Sequence, residues 1–212
     1  MNAIDFLASS LKRKDDKPNQ DLATNIINSK KDEWVKELVD NLHHKDKNIQ
    51  SDCIKVLYEI GYRGAPDLIA PYSKEFIEIL KSRNNRMVWG AMFAINTIVM
   101  QKPEEIYNKL SDIMKAIDNG SVITIDNGIS ILSQLAAIKK YKATTFPLLF
   151  EQLKKCPAKQ LPMYAEKAEI AINLDNREQF VDLIETRMSE MTRDTQKKRL
   201  LRVLEKSAER SS

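Results

Sequence analysis

The sequence predicts an all-α fold built from repeated helix pairs, and three observations carry that expectation. Apolar residues recur at helical spacing, as in Trp34, Val35, Leu38, Val39 and Leu42, where residues three and four apart share a helix face. Only 5 Gly and 7 Pro occur in 212 residues, too little turn material for many short strands. Finally, three segments can be laid over one another almost residue for residue: Ile49 to Gly61, Asn84 to Val99 (NNRMVWGAMFAINTIV) and Thr124 to Ala136.

The registration is clearest in one column of small residues, Cys53, Ala91, Gly128 and Ala168, spaced 38, 37 and 40 residues apart. Apolar neighbours follow in step: Val56-Leu57, Ala94-Ile95, Ile131-Leu132 and Ala171-Ile172. Small residues in such a column let helix backbones approach closely. One helix pair cannot bury its apolar stripe alone, whereas about five stacked pairs make a continuous core.

Taken in order, residues 3 to 12 predict a short amphipathic helix with Ile4, Leu7, Ala8 and Leu11 on one face. The run LKRKDDKPNQ breaks it, because Pro18 cannot continue a helix and disfavours one in Lys17. A second short helix is expected over Asp21 to Asn28. Residues 1–31 are therefore N-terminal cap helices or a tether, and residues 32–212 the solenoid. The first pair joins the Trp34 face to a helix from Ile49 to Ile60 through the polar turn His43 to Asn48, with Gly61 placed as a C-cap. Pro66 opens the second pair. Pro71 marks a kink or a short helix, and the turn at Asn84-Asn85 leads to a helix over 86–99. The third runs from Pro103 to Ile117, turns at Asp118-Asn119-Gly120 and continues over 124–137. The fourth starts at Pro147, turns between Cys156 and Pro162, and resumes from Tyr164 to Leu174. The last, with Phe180, Ile184, Leu200 and Val203, is the most charged, as a solvent-facing end should be.

This pattern resembles the HEAT-repeat branch of the armadillo-like α-solenoids. The residues that carry the resemblance are the prolines near first-helix starts (Pro66, Pro103, Pro147), the polar turns, and second helices studded with small residues such as MVWGAMFAI. It covers Asp32 to Ala208 and departs from the family at the Asp-x-x-x-Arg entry to the second helix, which Arg86 approximates and Ile49 and Thr124 do not. It implies a right-handed solenoid whose second helices line a concave face. A shape is implied, not a chemistry.

Composition bounds the function. Lys and Arg number 34 against 30 Asp and Glu, and Arg193 to Arg210 holds seven basic residues against three acidic ones. Residues 1 to 192 are thus formally neutral, which disfavours a nucleic-acid partner gripped through many phosphates. The basic run Lys197, Lys198, Arg199 and Arg202 reads as the solvated face of a capping helix, or as a patch for phosphate or an acidic partner. No apolar stretch reaches membrane-spanning length, and the N-terminal basic cluster follows its apolar run, the reverse of a secretory signal. A cytoplasmic protein with reduced Cys53 and Cys156 is expected, so the Asn119-Gly120-Ser121 sequon reads as a turn. His43 and His44 are adjacent and point about 100° apart on a helix, with no third ligand at zinc spacing. No metal or cofactor is expected. Nor is there a glycine-rich phosphate loop, a nucleophile elbow or a histidine-based triad, so no residue is assigned a catalytic role.

The candidate binding set is Arg86, Trp89, Phe93, Asp126, Asn127 and Ser130. Trp89 and Asp126 share a repeat column and are expected to be neighbours on adjacent second helices. Asn96 and Ser133 continue the stripe, and Lys55 and Tyr58 extend it into the preceding pair. An aromatic beside a carboxylate and hydroxyls suits a peptide or a base. Equally, Trp89 wedges between repeats and Asp126 is a first-turn carboxylate favoured by the helix dipole. The expected function is a non-enzymatic protein–protein interaction scaffold with its partner on the concave face. The alternative is a nucleic-acid-binding or DNA-repair protein. The bacterial alkylpurine DNA glycosylases are also HEAT-like, and Trp89, Asp126 and Arg86 are similar to their residues in type only.

Overall fold

The structure is a computed structural model and describes residues 2–209. Among them the regular elements are all helical, with no strand. The chain divides into two compact units, Met1–Gly128 and Ile129–Ser212.

The first unit opens with a 3-10 turn at Ala3–Phe6, not the longer helix predicted over 3–12. The Glu37 carboxylate accepts from Ala3 N at 2.8 Å and Ile4 N at 3.4 Å, and Leu7 then leaves in an extended conformation. Helix α1 spans Lys17–Ser29, with Pro18 inside its first turn. First-turn N–H groups have no acceptor in their own helix, so proline starts α1 and does not interrupt it. These elements pack on α2 (Asp32–Asp40) and α3 (Lys47–Tyr62). The side chain of the fully buried Asn19 accepts from Ala8 N at 2.9 Å and donates to Asp52 at 2.8 Å. The second Asp52 oxygen accepts from Ser9 N at 2.7 Å.

Two first helices are broken. One is α4 (Pro66–Ile69), a 3-10 turn at Ala70–Tyr72 and α5 (Ser73–Ile79); the other is α7 (Pro103–Tyr107) and α8 (Leu110–Asn119). Their second helices are continuous: α6 (Asn85–Ile98) and α9 (Val122–Ala137), the latter crossing the boundary between the units. Gly61 is not the C-cap. It lies within α3, and Gly64, at φ 90°, takes the left-handed position beyond the helix end. Gly61 serves instead where a Cβ would collide with Thr97 of α6. Gly90 does the same from the other side: its Cβ would lie 2.8 Å from Ile54. Around these approaches Val56, Leu57, Ile60, Ala91, Met92, Ala94 and Ile95 are fully buried.

The second unit contains α10 (Lys139–Lys155), α11 (Leu161–Ala168), α12 (Arg177–Met188) and α13 (Asp194–Glu209). Pro147, predicted to start a helix, lies inside α10. Its ring and Ala143, whose carbonyl loses the helical bond, are both exposed, so water can satisfy the freed carbonyl. Arg187, the buried arginine of α12, clasps the end of α10. Its guanidinium donates to the carbonyls of Leu153 (2.7 Å) and Cys156 (2.8 Å), and it pairs with Glu190. Nothing local in the sequence marks this role, since Arg187 reads as an ordinary last-turn cation. Arg199 of α13 holds Glu166 of α11 through two bonds of 2.7 and 2.6 Å.

Gly90→Val is expected to force α3 and α6 apart and to cost about 1–3 kcal/mol, read as a lower urea midpoint by circular dichroism. A second expectation concerns acid. Hydrogen bonds from Arg199 and Arg187 hold the Glu166 and Glu190 carboxyls below their usual 4.5. A carboxylate with a depressed folded-state pKa stabilises fully above its unfolded value and ceases to do so as pH falls through the folded one. Urea midpoints should therefore decline below pH 4.5, and Arg199→Gln should flatten that decline.

Candidate functional site

Helix α6 starts where the Asn84 side chain accepts from Arg86 N at 3.0 Å, while Ser82 Oγ accepts from Asn84 N at 3.1 Å. That start sets the rotation of the helix. Arg86 is exposed; Trp89, Phe93 and Asn96 follow along the helix and are half-buried. From α3 the facing residues are Lys55, Tyr58 and Glu59. Tyr58 stacks on Phe93, with centroids 4.9 Å apart and planes at 21°. It also meets Trp89 at 6.0 Å, and Trp89 meets Phe93 edge-on at 6.2 Å. Such aromatic contacts each contribute about 0.5–1.5 kcal/mol beyond burial of area.

Lys55 places its ammonium over the Tyr58 ring, 4.9 Å from the centroid. It pairs with Glu59 at 2.8 Å and with Asp16 of the N-terminal segment at 3.5 Å. Burial opposes the Lys55 charge, but hydrogen bonds to Glu59 and Tyr58 carry its pKa above the usual lysine range. Burial pushes the Tyr58 phenol up as well. Arg86 borders a cleft of about 430 Å³ beside α3 and the N-terminal loop. There four cations (Lys12, Arg13, Lys14, Arg86) face four carboxylates (Asp15, Asp16, Asp46, Asp52).

The cross-helix contacts are staggered relative to the repeat columns. Tyr58 meets Trp89, and the Asn96 amide donates to Asn127 Oδ1 at 3.2 Å; both pairs are 31 residues apart. Column mates such as Trp89 and Asp126 are separated by 37. Trp89 meets α3 seven positions beyond its column mate there, and Asn127 meets α6 six positions beyond its own. Trp89 is thus engaged with Tyr58 and Phe93, and it is Asn96 that reaches α9. Asn127 is buried with both amide ends committed, the second to the Ile123 carbonyl at 2.9 Å. It holds α9 against α6. Asp126 is half-buried. Ser130, one turn on, is half-buried and lies past the boundary of the first unit. Ser133 is buried, its hydroxyl donated to the Ile129 carbonyl at 2.7 Å.

Among the described residues no group of three His, Cys, Asp or Glu side chains is placed to hold a metal ion, and no helix is long and apolar enough to cross a membrane. His44 Nδ1 accepts from Asp46 N at 3.0 Å within the turn. Both cysteines are free and buried. Burial, with the charges of Asp52 and Glu37, pushes the Cys53 thiol up to about 12. Burial also raises Cys156, against the opposing Arg187. The thiolate is the reactive form, so neither thiol suits a nucleophile.

No family model matches the chain, and no curated protein does. Solved structures do match. An engineered protein from a structural genomics consortium is 17% identical with a TM-score of 0.64, covering 100% of this chain and 98% of its own. A computationally designed armadillo repeat protein for modular peptide recognition is 15% identical, TM-score 0.66, covering 88% and 86%. A designed armadillo repeat protein in complex with the peptide (KR)4 is 16% identical, TM-score 0.65, covering 89% and 86%. The chain has an armadillo/HEAT-like α-solenoid fold. At these identities the likeness is one of fold, and it adds nothing to the DNA-repair alternative. Within the solenoid, the aromatic cluster joins two successive second helices.

Because both thiols are buried and raised, Ellman's reagent at pH 8 is expected to leave Cys53 and Cys156 unmodified in the folded protein and to titrate both in denaturant. Rapid labelling of Cys53 in the native state would contradict the burial described.

Proposed function

We propose that this protein is a non-enzymatic scaffold that binds an extended peptide segment of a partner protein along the face formed by α3, α6 and the first turns of α9. The observation that carries the reading is the cluster of Tyr58, Trp89 and Phe93. Tyr58 is buried and supports the other two, whereas Trp89 and Phe93 keep part of their surface open. Rigid aromatic anchors that are partly open and backed by fixed neighbours are the side chains that most often dominate peptide and protein recognition. The fold neighbour that binds the peptide (KR)4 lends support of a general kind.

In this reading Trp89 and Phe93 anchor an apolar or cationic side chain of the partner, and Arg86 and Asp126 flank it with opposite charges. Asn127 acts indirectly. Its amide is spent on Asn96 and Ile123, so it positions α9 and makes no bond to the peptide. Lys55 is likewise spent on Glu59 and Asp16.

The full chain should enrich peptides from a display library, with (KR)4 as the first defined probe for calorimetry. Trp89→Ala is expected to weaken the best peptide about tenfold, since truncating an anchoring aromatic costs on the order of 1–2 kcal/mol or more. Unchanged affinity in a folded Trp89→Ala variant, or no enriched peptide at all, would reject the reading.

A further inference from the structure

Among the clefts on the surface of the described residues, four are electrically balanced or acidic. The cleft beside Arg86 sets four cations against four carboxylates. That at Leu174 and Val181 has Arg177 against Glu178 and Asp182. Those around His43 and around Ile77 are balanced, Lys81 against Glu78 in one and Lys74 and Lys109 against Glu78 and Glu105 in the other. Another, of about 340 Å³, differs: Lys81, Arg83 and Lys115 line it against Asp112 alone. It lies within the first unit, where the turn before α6 meets α8 and the start of α9. Ser82, Asn85, Asn119 and Thr124 add hydroxyl and amide groups to its wall.

The three cations are not equally available. Lys81 is tied to Glu78 at 2.8–2.9 Å. Lys115 approaches Asp112 only to 3.9 Å and is largely exposed. Arg83 has no ion pair or hydrogen bond among the described residues, and neither does the Asn85 side chain. The helix starts that border the cleft are already capped, by Asn84 on Arg86 N and by Ser121 on Thr124 N. Attraction for an anion therefore comes from the side chains and not from helix ends. A guanidinium presents a planar fork of donors matched to an oxyanion, and with Lys81 held by Glu78 the lining keeps Arg83 and Lys115 against Asp112, a net positive charge that suits an anion. The volume lies at the small-molecule end of ligand sites.

We propose that this cleft binds a phosphate monoester, held by Arg83 and Lys115, with Asn85 and Ser82 as further donors. The proposal is independent of the peptide reading, since none of these residues belongs to the aromatic cluster. The group can be carried by a free nucleotide or by a phosphorylated side chain, and the chemistry recognised is the same.

The test uses the ¹⁵N-labelled full chain titrated with inorganic phosphate at constant ionic strength. Saturable amide shifts are expected in residues 80–88 and 112–124. Arg83→Gln, a surface change that should leave the fold intact, is expected to raise the midpoint about three- to fivefold, the scale of one exposed charge interaction. Asp112→Asn should lower the midpoint, an outcome that damage to the fold would not produce. AMP and O-phosphoserine then separate the two sources, whichever binds more tightly naming the carrier. Linear shifts spread over lysine-bearing segments elsewhere, or midpoints unmoved by both substitutions, would overturn the proposal.

Discussion

The close approach of α6 to α3 is the constraint on which the first unit depends. It is made possible where side chains are missing or small: Gly90 against Ile54, Gly61 against Thr97, and Ala91 and Ala94 in the fully buried seam. With the backbones this near, residues flanking the seam are pressed together, and Tyr58, Trp89 and Phe93 have little choice but to form one aromatic cluster. Trp89 is consequently neither a core residue nor a free surface group. Its partial exposure follows from the spacing of the helices, and the candidate peptide face follows from its exposure.

Electrostatics shape this surface more by cancellation than by net charge. Residues 1–128 hold 18 basic and 19 acidic side chains, while residues 129–212 hold 16 and 11. Within the first unit exposed charges pair locally, as with Lys36 and Asp40 or Lys81 and Glu78. Exposed pairs of this kind each stabilise by only about 0–1 kcal/mol, so their main effect is to cancel charge on the surface. Against that background the cleft lined by Arg83 and Lys115 stands apart because its cations outnumber its carboxylates. Buried charge has a different part in the second unit, where Arg187 satisfies the carbonyls of Leu153 and Cys156 at the end of α10. An unsatisfied buried carbonyl costs about 1–3 kcal/mol, and an arginine fork reaches two at once.

Much of the fold was legible because the repeat is written in residue size. The column Cys53, Ala91, Gly128 and Ala168 is buried throughout, and the first three helix pairs fall where the apolar periodicity places them, whereas the fourth starts earlier, at Lys139, and its second helix is Leu161–Ala168 and not Tyr164 to Leu174. Pro18, Pro147 and Gly61 depart from the local rules for one reason: each rule has a second outcome that depends on what lies opposite. Proline fits a first turn, or an exposed point inside a helix whose freed carbonyl meets solvent; glycine can serve a close approach as well as a cap. The candidate site was legible in composition, since Tyr58, Trp89 and Phe93 could be placed on one face. Its pairing was not. Column arithmetic pairs positions 37 or 38 apart, whereas the contacts that join α3, α6 and α9 include pairs 31 apart, Tyr58 with Trp89 and Asn96 with Asn127.

By itself the sequence determined that this is an all-α solenoid, because helical periodicity and a recurring small-residue column are properties of residue order and size alone. It also confined any strong positive charge to the C-terminal end. Only the tertiary structure decided which members of the stripe from Asn84 to Val99 remain open, that Asn127 is a strut, and that Arg83 and Lys115 share a cleft. Those outcomes depend on the stagger between neighbouring helices and on which charges find partners across them, and a pattern read along one chain contains neither distance.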